Sequence, residues 1–247
     1  MRGRPPSRGT LVLAAHGTRD PRGEKVLREV AAAVSRRRPG HRVELAYLEI
    51  SRPLLADVLP AAPGPVTVVP LLLAGGYHVH VDLPGVVARA RRDARIAAAL
   101  GPHPLLSEAV AHRLPAAGLR PHDRVVLAAA GSSDPAALDD VRAAARLLSV
   151  RLGRPVTAAF AAAGRPALEE AVTRGTGNRV VLASYLLAPG FFHTRLLEAG
   201  ADLVSDPIGA GPALAALVWH RYDEAQRARK CQPIHHHDNT TSSLPAG

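Results

Sequence analysis

Cysteine is nearly absent. Cys231 is the single cysteine in 247 residues, which excludes a disulfide framework and a thiolate zinc site and agrees with a reducing compartment. Lysine is almost missing too, Lys25 and Lys230 standing alone beside many arginines. The net charge of +10 in an Ala-, Gly- and Pro-rich chain therefore reads first as a solvated arginine surface and only second as an anion-binding patch. Aromatics make up 3% of the residues, leaving few platforms for stacking nucleic-acid bases. No stretch reaches the roughly 18 apolar residues of a membrane span. The run Leu11 to Ala15 behind Arg2 and Arg4 is too short for a signal-peptide core. Dinucleotide-binding glycine patterns and Walker-type loops are also missing, so redox and ATP-driven readings lack support. The expectation is a cytoplasmic protein that engages neither nucleic acid nor membrane.

What the chain does have is internal repetition. Leu11-Val-Leu-Ala-Ala-His-Gly-Thr18 returns 114 residues later as Val125-Val-Leu-Ala-Ala-Ala-Gly-Ser132. Ala46-Tyr-Leu-Glu-Ile-Ser-Arg-Pro53 returns after 113 as Ala159-Phe-Ala-Ala-Ala-Gly-Arg-Pro166, and Leu72-Leu-Ala-Gly-Gly-Tyr77 after 114 as Leu186-Leu-Ala-Pro-Gly-Phe191. Three collinear matches indicate duplicated domains. The expected division is a flexible N-terminus over 1–9, a first domain over 10–118, a second over 119–230, and a disordered polar tail over 231–247 that holds His235, His236 and His237.

Each half reads as alternating strands and helices. Thr10 to Ala15 is a short buried strand; Asp20-Pro21 supplies an N-cap and an N1 proline; Val26, Leu27, Val30 and Val34 then share one helical face. Val43 to Leu48 and Val66 to Leu73 read as further strands, Pro53 opens a short helix, and a longer helix is expected from Gly85 to Leu100. The second half repeats the scheme with strands near Arg124 to Ala129, Val156 to Ala161 and Arg179 to Leu186. The fold class is α/β: two tandem similar domains, each a parallel sheet flanked by helices.

Ligands of open parallel sheets bind beyond the carboxyl ends of the strands. His16, Glu49 and His78 each follow one of the first three strands there. Two imidazoles and a carboxylate suit a borderline divalent metal, and equally suit proton transfer. The repeat supplies an internal control. Ala130, Ala162 and Phe192 stand at the corresponding places of the second half, so the scaffold does not require the polar groups and only the first half is chemically equipped. His193 lies one position out of register with His78. His80 is a second-rank candidate in the same loop, whereas His41, His103, His112 and His122 read as structural or solvated.

Leu13-Ala-Ala-His16-Gly-Thr-Arg-Asp20, Ala46-Tyr-Leu-Glu49 with Pro53, and Pro70 through His78 to Pro84 together resemble the sirohydrochlorin chelatases, the class II tetrapyrrole chelatases; the second half is similar to the degenerate partner domain of their long members. The resemblance covers about residues 10 to 225. It implies a chelatase-like fold with the active site in the cleft between the halves, and a lyase that inserts Fe²⁺, or next Co²⁺, into sirohydrochlorin on the way to sirohaem or cobalamin. No cofactor is bound permanently, the metal being a substrate. His16, Glu49 and His78 become metal-binding and proton-accepting groups. Arg19, Arg22 and Arg52 become candidates for the substrate's carboxylates, with Tyr77 and His80 beside the ring. A monomer with an intrachain pseudo-dimer fits the duplication. Two other readings stay open: a carrier that binds metal or tetrapyrrole without turnover, and a histidine-dependent phosphohydrolase, against which Ala15 stands where such enzymes place an arginine.

Overall fold

Two apolar runs of the same pattern seed the two halves. In the computed structural model, which describes residues 9–76, 78–173 and 178–228 with the side chain of His78 excepted, Thr10–Ala15 forms β1 and Arg124–Ala129 forms β5. The expected N-terminal arm up to residue 8, the polar tail with its three histidines, and Tyr77 lie outside the described residues. The first half continues with α1 (Pro21–Arg37), β2 (Arg42–Tyr47), α2 (Leu55–Ala61), β3 (Val66–Pro70), a π-helical turn (His78–Asp82), α3 (Leu83–Ala90), β4 (Arg95–Ile96) and α4 (Pro104–Arg113). The second runs through α5 (Pro135–Leu152), β6 (Val156–Phe160), α6 (Leu168–Thr173), β7 (Val180–Ser184), α7 (Phe191–Leu197), β8 (Leu203–Val204) and α8 (Pro212–Ala228).

Both sheets are parallel and have one topology, β2-β1-β3-β4 and β6-β5-β7-β8. The expected α/β duplication is therefore what the chain forms. The caps repeat as well. Asp20 accepts from Arg22 N–H ahead of α1 and Asp134 from Ala136 N–H ahead of α5, each followed by a proline whose missing N–H costs nothing at that position.

Two expectations need correction. The strand expected to Leu73 ends at Pro70, the chain turning away after Leu71 N–H donates to Ala14 O. The helix expected from Gly85 to Leu100 begins earlier and stops at Ala90, after which Arg95–Ile96 adds an edge strand to β3. Arg91 explains the stop: its backbone is extended, and its guanidinium donates to the carbonyls of Leu59, Ala62 and Gly64 at the end of α2. Among those histidines read as structural or solvated, His103 caps α4, its Nδ1 accepting from Leu105 N–H at 3.1 Å.

The last helix of each half covers the other half. α4 packs on α5 and β7, and α8 packs on α1 and β3. Trp219 in α8 is buried, donates from its indole to Val34 O at 2.9 Å, and carries the Arg38 guanidinium over its ring. Arg38 also grips Asp223 with two hydrogen bonds of 2.6 and 2.7 Å, while Gln226 bonds Thr67 on β3. Burying Leu214, Leu217, Val218 and Trp219 of α8 contributes roughly 1.5 to 3 kcal/mol for each large side chain. One shared core therefore runs through both halves, flanked by a smaller core on the outer face of each sheet. No helix among the described residues is long and apolar enough to cross a membrane.

Candidate active site

The loop after β1 meets the loop after β2 because Gly17 allows it. Its φ is 108°, and a Cβ there would lie 2.0 Å from Glu49 O. Leu48 N–H donates to Ala15 O and Glu49 N–H to His16 O, so the parallel ladder continues one step past both strands. The Ser51 hydroxyl then accepts from Thr18 N–H and donates to Thr18 O, tying the two loops together. On this frame His16 Nε2 stands 2.9 Å from Glu49 Oε1, with the two side chains 37% and 57% exposed.

The second half makes the same turn without the chemistry. Gly131 has φ 93°, Ala162 N–H donates to Ala130 O, and Ser132 N–H to Ala163 O. The turn therefore needs its glycine and not the imidazole or the carboxylate. Residues 71–94 join β3 to β4 where only 185–202 join β7 to β8, and the longer connection carries the π-helical turn that His78 opens. Such turns recur at functional sites. With β1 between β2 and β3, that connection leaves the sheet beside the His16–Glu49 pair. The His78 side chain lies outside the described residues, and no group of three metal-binding side chains converges among those described.

A cleft of about 800 Å³ opens beside the pair, between the halves. His16, Gly17, Thr18, Arg19 and Ile50 line it from one side and residues 186–193 from the other. Its exposed apolar groups are Ile50, Phe191 and Phe192, the two rings meeting edge to face at 5.3 Å. Ile50 has φ 64°, a backbone state that a β-branched residue adopts only under constraint. Here the constraint is the loop closure just described, and it holds an aliphatic side chain at the cleft next to Glu49.

The candidate arginines separate. Arg19 is exposed in the cleft and makes no ion pair among the described residues. Arg22 bonds Asp20 at 2.7 Å and holds that carboxyl below its ordinary pKa. Arg52 faces Asp57 at 3.7 Å on the surface. Neither of the last two lines the cleft. His80 sits in the π-helical turn, and His193 lines the cleft with its Nε2 3.4 Å from Ser205 O. Reading the sequence for polar groups missed Ile50, Phe191 and Phe192. The available signal was that two of the chain's three phenylalanines are adjacent, and the structure puts them at the start of α7, after the loop that follows β7.

The family model CbiX matches residues 10–117 and again residues 124–225. Sirohydrochlorin cobaltochelatase of Methanothermobacter thermautotrophicus is 34% identical over 81 residues, 31% of this chain and 56% of its own length. That of Methanococcoides burtonii is 26% identical over 81 residues, 31% of this chain and 62% of its own. The matched stretch thus spans less than two thirds of these relatives. Among solved structures, SirB from Bacillus subtilis with Fe³⁺ is similar over 90% of this chain and 98% of its own, with TM-score 0.72 and 24% identity. At that identity the likeness concerns the fold. Matched by the family model in both halves, the chain belongs to the CbiX family.

Proposed function

We propose that this chain inserts a divalent metal, Fe²⁺ first and Co²⁺ next, into sirohydrochlorin. The observation that carries the reading is the His16–Glu49 pair, 2.9 Å apart, at an apolar-walled cleft and present in one half only. Metallation replaces two pyrrole N–H protons by bonds to M²⁺, so the site must hold a metal loosely and accept two protons. Neutral imidazole and carboxylate do both, whereas an all-thiolate site would trap the metal. Two donor atoms about 3 Å apart also match neighbouring ligands on one ion with bonds near 2.0 to 2.2 Å. Both side chains reach solvent, which gives the accepted protons an exit.

The cleft falls within the ~300 to 1,000 Å³ of small-molecule sites. Ile50, Phe191 and Phe192 offer apolar surface to the faces of the macrocycle, and Arg19 is placed to meet a carboxylate at its rim. His78, which opens the π-helical turn of the neighbouring loop, is the third group of the proposed donor set. His/Glu ligation accepts iron and cobalt alike.

The test is anaerobic absorbance spectroscopy with sirohydrochlorin in excess over protein and Fe²⁺ or Co²⁺ supplied separately. Conversion well past one equivalent supports the chelatase, and the faster metal points to the pathway. Conversion that halts at one equivalent identifies a carrier.

A further inference from the structure

The half with Ala130 and Phe192 in the places of His16 and His78 reaches across to the loop that leads to His78. Gly75 N–H donates to Asp140 Oδ2 of α5 at 2.8 Å, and the Tyr185 hydroxyl, just past β7, donates to Leu73 O at 3.1 Å. Tyr185 is buried, and burial raises its pKa well above the ordinary phenol value, so it keeps its proton and remains a donor. Gly101 leaves room for that bond: a Cβ there would lie 2.4 Å from the Tyr185 oxygen and 2.2 Å from Leu73 O. A Cβ on Gly75 would likewise lie 2.9 Å from His80 Nε2 and 3.2 Å from Asp140 Oδ2. Next in the chain, the Gly76 carbonyl accepts from both Val79 and His80 N–H. Holding Gly75 therefore holds the carbonyl from which the His78 turn departs.

The repeat again separates scaffold from addition. The packing is reciprocal: Gly76 rests on Ala137 and Ser132 of the second half, and Gly190 and Pro189 rest on Thr18 and Gly23 of the first. The hydrogen bonds are not. In the first half Val26 takes the place of Asp140 and Leu71 that of Tyr185, and Pro189, in the place of Gly75, has no N–H to donate. Two polar groups that the scaffold does not need thus occur only where they touch the loop before His78.

We infer that Asp140 and Tyr185 are positioning residues, by which the second half sets the geometry of the His78 loop without supplying a ligand. The inference rests on the reading of His78 as a metal-binding group. Removing a group that orients ligands in this indirect way typically weakens metal affinity by roughly ten- to hundredfold.

The experiment compares wild type with Asp140→Ala, Asp140→Asn and Tyr185→Phe, recording thermal melting, the Co²⁺ affinity of the free protein, and KM for Co²⁺ against kcat during metallation. Asp140→Ala and Tyr185→Phe are expected to melt within a few degrees of wild type and to bind Co²⁺ about tenfold more weakly. The loss should fall on KM for Co²⁺, leaving KM for sirohydrochlorin unchanged. Asp140→Asn keeps an oxygen that accepts from Gly75 and should recover most of the affinity. Wild-type Co²⁺ binding in both Asp140→Ala and Tyr185→Phe overturns the inference while leaving the chelatase reading intact, as does an Asp140→Asn no better than Asp140→Ala. A wild type that binds Co²⁺ but turns nothing over overturns the chelatase, and the Co²⁺ titrations of the variants still decide the positioning role. A wild type that neither binds Co²⁺ nor turns over overturns both.

Discussion

His16 Nε2 and Glu49 Oε1 stand 2.9 Å apart although they follow different strands. The contact arises because β1 and β2 are parallel neighbours in register, Ala15 opposite Tyr47, and the next residues continue that pairing. Glu49→Gln keeps the size of the side chain and removes its charge and basicity. The expected result is a fall in kcat of about a hundredfold with unchanged thermal melting, since the group is more than half exposed. Initial rates measured alongside a melting curve check it.

Gly17 makes that contact sterically possible, and Gly153 provides a comparison. Gly153 ends α5 with φ 63° and open space around its missing side chain, so Gly153→Ala should destabilise by ~1 to 2 kcal/mol, the strain of a left-handed residue. At Gly17 the added carbon also meets the Glu49 carbonyl. Gly17→Ala is expected to lose more stability than Gly153→Ala and, unlike it, most of the activity. Urea denaturation and initial rates on the pair separate the two effects.

Much of this arrangement was readable from local pattern. Asp20-Pro21 marked the start of α1, and the repeat offset identified both the duplicated fold and the three positions unique to the first half. Other features depend on tertiary relationships that no local pattern encodes. Nothing in the composition of α4 or α8 says which sheet each covers. The edge strand Arg95–Ile96 is too short to stand out in an Ala- and Arg-rich stretch. The separation of Arg19 from Arg22 was partly readable, since an arginine two places after an N-cap aspartate can fold back on it, as Arg22 does. The strain at Ile50 follows from loop closure and left no mark in residue type.

Phe191 tests the apolar wall of the cleft. At 72% exposure it contributes little to folding, so Phe191→Ala should melt as wild type does. Losing its contact with the macrocycle should raise KM for sirohydrochlorin roughly tenfold, the equivalent of about 1.4 kcal/mol, with KM for the metal unchanged. Steady-state kinetics in each substrate measures the split.

The hold of α8 on the first half should weaken in acid. Hydrogen bonds from Arg38 set the Asp223 pKa below its ordinary 3.8. A carboxylate with a depressed folded-state pKa stabilises fully above the unfolded value and loses that contribution as pH falls through the folded one. Both side chains are about one third exposed, so solvent screening limits the pair to on the order of 1 kcal/mol. The stability gap between wild type and Asp223→Asn is therefore expected to be constant from pH 7 to about 5 and to close below about 4. Trp219, the only tryptophan, lies against Arg38 and reports the transition by its fluorescence in urea.

The most direct measurement follows sirohydrochlorin absorbance anaerobically through many turnovers with Fe²⁺ and with Co²⁺, for wild type, His16→Ala and His78→Ala. Wild type is expected to convert many equivalents, and each variant to be slower by at least about a hundredfold while remaining folded. Folded variants as fast as wild type, or a wild type that stops at a single equivalent, would contradict the assignment of metal insertion to this site.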